Sequence, residues 1–490
     1  MFDWIRVHIP AWVYITIIAH LVILGTVAYL ILLERKTASW VQDRIGPNRV
    51  GFGFGLPFIP KFLHRANGFG QPLADGLKFI VKEDYRPANT DKILFTLAPG
   101  IMIVVIIVSI AVLPWGGTKR TTREVTVTNS TDVQTDVENE VPWGAELVGD
   151  PKPVSWDLNS ATFEITYQYP FQIARLNIGV LYVLATLSLA VYGVVIGGWA
   201  SNNKYSFLGG LRATANMISY EIPMGLAVLC LVLMFGTLDL GDIVEKQCHY
   251  WYALGFIPIP AWNVLTQPLA FVMFLVCIHA EANRAPFDLA EAEQELVGGY
   301  HTEYSSMRFA LFFLAEYAGM ITTSAVCVAL FFGGWHIPWV DLIWKPVDSV
   351  HPSVTMSLLW CIVRSLVFFG KTIGIIFVFM WVRWSLPRFR FDQLMMLAWR
   401  ALIPIALTLL LMTAIVVYLF NGESYLQDAQ QFGVSGGMEL CLLLANVVVG
   451  GVIMAVSTML PPAPLTNRRV LVAGSRYNPA GSPAAVASMN

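Results

Sequence analysis

Long apolar runs alternate with polar segments along most of the chain. A helix needs roughly 20 apolar residues to cross the hydrocarbon core of a bilayer, so the pattern predicts an all-α, polytopic integral membrane protein. The run lengths predict about nine transmembrane helices, of which the fifth is the shortest. They lie at about 11–33, 93–113, 176–199, 216–235, 266–282, 308–332, 355–381, 401–420 and 438–460.

Positive charges are concentrated in every second segment between these runs. The segments after the first, third, fifth and seventh runs, together with the C-terminal tail, contain 21 Lys and Arg residues, whereas the N-terminus and the other segments contain 8. Cytoplasmic segments of membrane proteins are enriched in Lys and Arg. The bias predicts an N-terminus outside the cytoplasm and a C-terminus inside it.

The composition agrees with a membrane protein and excludes several kinds of site. Hydrophobic residues make up 56% of the chain and charged residues 13%, against roughly 25% charged residues in soluble domains. A net charge of −2 gives no indication of nucleic-acid binding. The six cysteines include no CxxC pair and the eight histidines no HxxxH pair, so the sequence predicts neither an iron–sulfur cluster nor a metal site on this chain.

The segment after the first run, residues 34–92, contains a short amphipathic pattern at 72–85. Apolar residues such as Leu73 and Leu77 mark one side of this pattern, and Asp75 and Lys78 mark the other. The pattern predicts a helix that lies in the membrane interface. An ordinary cytoplasmic helix would give the same pattern and remains the alternative.

The segment between the fifth and sixth runs is unusually acidic. Charged side chains in or beside a bilayer are costly, so their default interpretation is functional. A solvated acidic loop is the alternative, but one of the acids, Glu316, lies about two turns inside the predicted sixth helix. The carboxylates are Glu281, Asp288, Glu291, Glu293, Glu295, Glu303 and Glu316, against Arg284 and Arg308.

Three acids on three predicted helices converge when the chain is oriented by its charges. Glu221, Glu281 and Glu316 then lie toward the cytoplasmic ends of the fourth, fifth and sixth helices. Neighbouring carboxylates in a low-dielectric site cannot all ionise cheaply and share protons instead. Lys371, in the seventh predicted helix, is the candidate counter-charge, and a Lys that extends to the membrane surface is the alternative.

Four blocks of sequence resemble the proton-translocating NADH-quinone oxidoreductase family, specifically its membrane-embedded H subunit, known in mitochondria as NADH dehydrogenase subunit 1. The third block contains the motif Asn283-Arg-Ala-Pro-Phe-Asp288, and the fourth is Arg388-Phe-Arg-Phe-Asp-Gln-Leu394. Together the four blocks cover most of the chain from 11 to 420. They are 34–51 with 71–83, 192–205 with 211–221, 281–304, and 388–394.

The resemblance implies a function for the convergent acids and for the segment after the first helix. It implies a subunit that anchors the peripheral arm, forms part of a quinone chamber and couples quinone reduction to proton translocation. The implied proton path consists of Glu221, Glu281, Glu291, Glu293, Glu295 and Glu316. The implied quinone-binding residues are Gln42, Arg44, Asp75 and Arg308, and the implied structural or coupling residues are Arg284, Asp288, Glu303 and Lys371.

The resemblance also implies partners and a location. The quinone is a substrate, whereas FMN and iron–sulfur clusters are expected on partner subunits of the complex, because this chain is expected to bind no cofactor or metal alone. The expected location is a bacterial inner membrane, in contact with lipid. A membrane subunit of a related hydrogenase is the alternative, and a secondary cation transporter is less favoured because no internal repeat is found.

The expected organisation follows the helices. Residues 1–33 form the first transmembrane helix, 34–92 a cytoplasmic loop at the quinone entrance, and 93–420 the next seven transmembrane helices. That middle part includes an enlarged periplasmic loop at 116–172 and the acidic cytoplasmic loop at 284–307. Beyond it we expect an additional ninth helix within 421–460 and a polar cytoplasmic tail at 461–490.

Overall fold

A computed structural model describes most of the chain. Three of the proposed proton-path acids, Glu291, Glu293 and Glu295, lie outside the described residues, as does the tail 461–490. The described residues are 11–51, 68–128, 146–147, 152–157, 160–253, 257–288, 297–340, 354–421 and 437–459.

Helices occupy all nine segments that the apolar runs predict. Within the described residues, seven helices are long and apolar enough to cross a membrane, which confirms the polytopic fold class. The bounds are α1 Ala11–Val41, α2 Gln71–Val81, α3 Lys92–Ile110, α4 Gly179–Ala200, α5 Lys204–Phe235, α6 Leu240–Lys246, α7 Asn263–Thr266, α8 Pro268–Glu281, α9 Ser306–Phe331, α10 Val354–Ser385, α11 Phe391–Met396, α12 Ile403–Asn421 and α13 Gly437–Met459.

The fifth predicted run forms the short helix α8. It begins at Pro268, directly after Gln267, whose backbone is not helical (φ −132°, ψ 62°). Proline is well suited to the first position of a helix because it has no N–H to leave unpaired there. The break separates α8 from the single turn α7, and it leaves α8 with 14 residues that end at Glu281.

The predicted amphipathic segment forms α2, and it ends earlier than expected, at Val81. None of its residues is buried within this chain, and Leu73, Leu77, Ile80 and Val81 are exposed. The helix contacts the start of α9, because Ser306 donates a hydrogen bond from Oγ to the backbone oxygen of Phe79 (2.8 Å). An exposed apolar side on a helix at the edge of a membrane protein is typical of an interfacial helix.

The enlarged loop between α3 and α4 contains a β-sheet, where only a loop was expected. Its strands are β1 Thr118–Thr128, β2 Glu146–Leu147, β3 Lys152–Asp157 and β4 Ser160–Pro170. All pairings are antiparallel, and β1, β2 and β3 each pair with β4. A two-stranded hairpin, β5 Tyr250–Ala253 and β6 Ile257–Pro260, lies between α6 and α7.

Helix α9 is the most enclosed of the long apolar helices. In its most apolar window 72% of the residues are buried, against 22–44% in the other candidate spans. It belongs to one continuous hydrophobic core with residues of α3, α4, α5, α8 and α10. Residues from Val448 onward form a second compact unit, of which the structure describes the helical residues 448–459.

Side-chain contacts define two ends of the first unit, Met1–Val447. At the acidic end, loops that follow α1, α2, α4, α8 and α10 meet: Asn203 binds Glu303 (2.6 Å), and Arg388 binds Asp288 (3.0 Å). At the opposite end, residues 111–117, 171–178, 236–253, 257–263 and 332–339 meet.

Candidate functional site

A buried arginine lies between two glutamates at the acidic end. Arg284 follows α8, and its side chain is 5% exposed. Its Nε lies 3.3 Å from Oε1 of Glu316 on α9, and its Nη1 lies 3.6 Å from Oε2 of Glu34 on α1. The guanidinium also lies over the ring of Tyr317, 4.2 Å from the centroid. One cation is therefore shared by carboxylates from two helices.

Glu34 joins this arrangement to a third helix. Arg383 on α10 donates a hydrogen bond from Nη1 to Oε1 of Glu34 (2.5 Å), and the Tyr317 hydroxyl donates one to Oε2 (2.5 Å). Glu34 is 7% exposed. We call Glu34, Arg284, Glu316, Tyr317 and Arg383 the Glu34 cluster. Its two carboxylates and two guanidiniums balance in formal charge, which a buried ionic group requires to be stable.

Glu34 is a candidate functional residue that sequence reasoning missed. It opens the Glu34-Arg35-Lys36 motif, but the sequence pattern alone assigns it no role. The available signal was its position, because it is a carboxylate directly after an apolar run of membrane length. Arg383 gave the weaker signal of a basic residue near the end of the seventh run, where surface Lys and Arg are common.

Two further acids form a pair beside the cluster. Glu281 is the last residue of α8 and is 9% exposed, and it interacts electrostatically with Glu221 on α5. The hydroxyl of Ser188 on α4 donates a short hydrogen bond to Oε1 of Glu221. Glu221 and Glu281 thus interact electrostatically, and Glu316 lies beside Arg284.

Lys371 is not the counter-charge of these acids, and that prediction is wrong. Its ammonium donates hydrogen bonds to the backbone oxygens of Phe332, Gly334 and His336 at the opposite end. On the same helix it lies 12 residues before Arg383, or about 18 Å at 1.5 Å per residue. Of the three acids, Glu316 has Arg284 as its counter-charge instead.

The proposed coupling residues of the acidic loop are held by the structure around it. Asp288 is buried and accepts a hydrogen bond from Nη2 of Arg388 (3.0 Å). The backbone N–H of Phe389 donates to the oxygen of Pro286 (3.2 Å), so the segment after α10 is fastened to the segment after α8 at two points. Glu303, at the other end of the loop, accepts from Asn203.

The proposed quinone-binding residues surround the contact of α2 with α1 and α9. Asp75 on α2 forms a salt bridge with Arg35 on α1 (2.8 Å) and accepts a hydrogen bond from Gln71. Arg308, in the first turn of α9, is bonded to Asp84 (3.1 Å) and lies over the ring of Phe95.

The other two proposed quinone-binding residues, Gln42 and Arg44, lie just beyond α1. Both are exposed, and the guanidinium of Arg44 donates a short hydrogen bond to Oε1 of Gln42. Aromatic rings line the region between α1, α2 and α9: Tyr29 lies 6.1 Å from Phe69, and Phe79 lies 6.2 Å from Phe309, measured between ring centroids.

No metal centre is found among the residues that the structure describes, since no three His, Cys, Asp or Glu side chains are grouped to hold an ion. None of the six cysteines forms a disulfide. Cys277, Cys327 and Cys361 are fully enclosed among apolar side chains of the core, where free cysteine behaves as a small hydrophobic residue.

Comparisons with known proteins give one consistent family. The family model described as NADH dehydrogenase matches residues 14–139 and 155–414. The chain is 42% identical over 392 residues to the first H subunit of the NADH-quinone oxidoreductase of Cytophaga hutchinsonii, covering 80% of this chain and 92% of the relative. It is 41% identical over 415 residues to the H subunit of Leptospira biflexa, covering 84% and 96%.

A third relative is similarly close, and three stretches of the chain lie outside the family model. NADH-quinone oxidoreductase subunit 8 of Rhodothermus marinus is 39% identical over 408 residues, which cover 83% of this chain and 97% of that protein. The family model leaves out 1–13, 140–154 within the enlarged loop, and everything after 414. The matched residues include strands β1 and β4 and every member of the Glu34 cluster.

Proposed function

Because this chain belongs to the H-subunit family of NADH-quinone oxidoreductases, and is a membrane subunit of such a complex, we propose that it forms part of the quinone chamber and carries protons from that chamber along its buried carboxylates. The observation that carries the proposal is the Glu34 cluster, in which Arg284 links Glu34 to Glu316. The other subunits of the complex are its partners. The relatives named above are all NADH-quinone oxidoreductase subunits, which favours this function over a hydrogenase subunit or a cation transporter.

The quinone would enter between α1, α2 and α9. A quinone needs an apolar wall for its ring and tail, with a few polar groups that orient its oxygens. The rings of Tyr29, Phe69, Phe79 and Phe309 supply the wall. Asp75 and Arg308, each already paired with an opposite charge, supply polar groups at its rim, whereas Gln42 and Arg44 would act farther out, at the entrance.

Protons would pass from this region to Glu316, Glu281 and Glu221. Reduction of a quinone to a quinol takes up two electrons and two protons, so it changes the charge of the chamber. The Glu34 cluster is balanced and enclosed, and a change of charge beside it alters the energy of each protonation state. Glu221 and Glu281 interact electrostatically as like charges, so the pair is suited to holding a shared proton. Glu291, Glu293 and Glu295 would extend this path through the acidic loop.

The acidic end would also be the anchoring surface. The loops 34–92 and 284–307 meet there, and Arg284, Asp288 and Glu303 fasten them to neighbouring helices. We assign this end to the cytoplasm, with the N-terminus outside and the C-terminus inside, from the bias of Lys and Arg. The peripheral arm would dock on it, with FMN and iron–sulfur clusters on the partner subunits.

The proposal is tested by removing the proton-carrying groups while keeping their shape. Glu221→Gln, Glu281→Gln and Glu316→Gln, made singly and in pairs, are each expected to lower coupled quinone reduction and proton uptake together, to below about a tenth of wild type. Paired changes are expected to be little worse than the worse single change, because groups on one path do not act independently.

The matched control for this series is Glu245→Gln, an exposed acid on α6 at the opposite end. It is expected to leave both activities unchanged. The measurements are NADH-driven quinone reduction and proton uptake in membrane vesicles, with complex assembly checked in each variant. Wild-type proton uptake in all three single variants would show that these acids are structural and would contradict the proposal.

A further inference from the structure

The C-terminal end of α9 is closed by side chains from three other elements. The last carbonyls of a helix have no partner within it and must be satisfied from elsewhere. Gln247 donates from Nε2 to the oxygen of Ala329 (3.0 Å), and Asn263 donates from Nδ2 to that of Leu330 (2.6 Å). Lys371 on α10 satisfies the oxygen of Phe332 (2.8 Å).

Lys371 does more than satisfy one carbonyl. The same ammonium donates to the oxygens of Gly334 (3.0 Å) and His336 (2.8 Å), and it lies 4.4 Å from the ring centroid of Trp262. Three acceptor-only carbonyls need three N–H donors, and only the protonated form of lysine has three. The geometry therefore requires a positive charge at this point.

The groups around this charge do not cancel it. His336 accepts a hydrogen bond at Nδ1 from Trp262 Nε1 (3.0 Å), so that nitrogen is unprotonated and the ring is neutral. The other titratable groups that act on this ring, Arg364 and His249, are basic, so neither supplies a negative charge. The partial negative charge of the helix end, about half an elementary charge, offsets only part of the ammonium.

This charge is half-buried and lies away from both ends of its helix. Lys371 lies near the middle of α10, which runs from Val354 to Ser385, so α9 ends level with the middle of its neighbour. The distance along α9 from Glu316 to Phe332 is about 24 Å, at a rise of 1.5 Å per residue. The backbone from Phe332 to His336 is not helical, and such backbone at membrane depth must be satisfied by protein or water.

The stretch of α9 between Glu316 and Lys371 is not purely apolar. Thr322, Thr323 and Ser324 are buried, and Thr372 of α10, the residue after Lys371, is buried too. Hydroxyl groups that donate to their own helix can still accept from a water or a proton carrier, and Ser324 Oγ has no hydrogen-bond partner among the described residues. Protons that reach Glu316 are thus separated from the opposite end by one partly polar helical segment.

We propose that Lys371 is an electrostatic barrier that prevents protons on the Glu316 side from leaking to the opposite side of the membrane. The inference rests on the proposed proton path. A fixed positive charge excludes protons and other cations from a pore or cavity. The ammonium also takes the place of water. Without it, the three carbonyl oxygens would need another hydrogen-bond donor, and water would supply it.

The test measures passive proton leak, without turnover. The complete complex, purified with wild-type or variant chain, is reconstituted into liposomes, and the collapse of an imposed pH gradient is followed with an enclosed pH-sensitive dye. Lys371→Met is expected to speed the collapse at least about tenfold above empty liposomes, the effect of removing one unit charge roughly 12 Å or less from the path at an effective dielectric of about 20. Lys371→Arg keeps the charge and is expected to remain tight.

A matched control exists at the same end of the molecule. Lys246 donates from Nζ to the oxygen of Phe235 at the end of α5 (2.6 Å), but its side chain is exposed. Lys246→Met removes a cation from a helix end without opening the interior, and is expected to leave the leak unchanged. Lys371→Gln, which keeps two donors without the charge, is the second neutral variant.

The outcomes separate the possibilities. A leak in Lys371→Met and Lys371→Gln, with normal NADH-driven quinone reduction in the presence of an uncoupler, supports the barrier. A tight Lys371→Met complex overturns it, whether or not proton pumping is lost. Failure of both neutral variants to assemble, with assembly restored in Lys371→Arg, would show a purely structural helix cap and overturn it too. The leak assay contains no NADH and therefore does not depend on turnover. Failure of the proposed proton path would appear instead in the Glu→Gln variants of Glu221, Glu281 and Glu316.

Discussion

At the scale of single residues, the site is defined by which charges share a partner. Glu34 accepts from both Arg383 and Tyr317 and lies beside Arg284. Removing one member of a buried ionic group leaves the remaining charges unpaired, which costs more than the group contributes when intact. The consequences of a substitution here depend on what remains, not only on what is removed.

The first residue-scale prediction concerns Glu34. Glu34→Gln leaves Arg383 and Arg284 with one carboxylate fewer, and is expected to destabilise the chain within the complex by about 1–3 kcal/mol and to lower quinone reduction. The double variant Glu34→Gln with Arg383→Gln is expected to recover part of the stability, because it removes the orphaned charge as well. Thermal inactivation of the purified complex measures the difference, and strictly additive losses in the double variant would contradict the pairing.

The sequence identifies which acidic residues are candidate functional residues, but not which basic residues pair with them. Glu221, Glu281 and Glu316 are predictable because a carboxylate in an apolar run is costly and marks a functional position by default. Lys371 is misassigned because its depth in a run does not say which end of a neighbouring helix it meets. The end that it meets is set by packing, because α9 stops short of α10 at one end. The pattern of apolar residues along the sequence does not contain this information.

At the scale of elements, glycines allow close contacts that fasten the acidic loop. A Cβ at Gly209 on α5 would lie 2.8 Å from the Cα of Gly299, in the short turn that precedes α9. Backbone therefore packs directly on backbone where α5 meets the acidic loop. Gly299 itself has φ +65°, a conformation that favours glycine.

The element-scale prediction compares two glycines of one helix. Gly209→Ala forces α5 away from the turn at Gly299 and is expected to destabilise by about 1–3 kcal/mol, as overpacking does. Gly225→Ala is the matched control, because a Cβ there meets nothing within 4 Å, and alanine favours a helix interior by about 0.5–1 kcal/mol. Melting temperatures of the assembled complex should move in opposite directions, and equal effects would show that the contact at Gly209 is not tight.

The helices are largely predictable from the sequence, and the sheet is predictable only in part. Apolar runs of membrane length mark each long helix. Strand β1 is rich in Thr and charged residues, so its pattern resembles that of a polar loop. Strand β4 does alternate apolar and polar residues, with Phe163, Ile165 and Tyr167 on one side, and this strand signal was overlooked. Their structure comes from pairing with each other, in a register that runs from Thr118↔Pro170 to Thr128↔Ser160. The two partners are far apart along the chain, so a local pattern does not reveal the pairing.

At the scale of the whole molecule, the uneven distribution of Lys and Arg distinguishes the two ends of the helices. The prediction is that reporter fusions after Asn89 and Asn467 lie in the cytoplasm and that one after Asn129 lies on the other side, since the bias of Lys and Arg orients the helices. Alkaline phosphatase and fluorescent reporters measure these locations. Asn89 and Asn129 on the same side would contradict the single crossing of α3 between them.

The sheet between α3 and α4 joins the bundle through a backbone-paired segment that we call the neck, and β1 also contacts α10 there. Trp115 N–H donates to the oxygen of Phe171, Phe171 N–H donates to that of Gly117, and Ala174 N–H donates to that of Ala111. The two strands leaving this neck are paired from their first residues onward. A segment whose two ends are already joined can lengthen or shorten with little strain on what lies below, because loop closure depends only weakly on length. The neck is therefore a natural point of modularity, where a tag or a further domain can be inserted while the helical bundle is left unchanged.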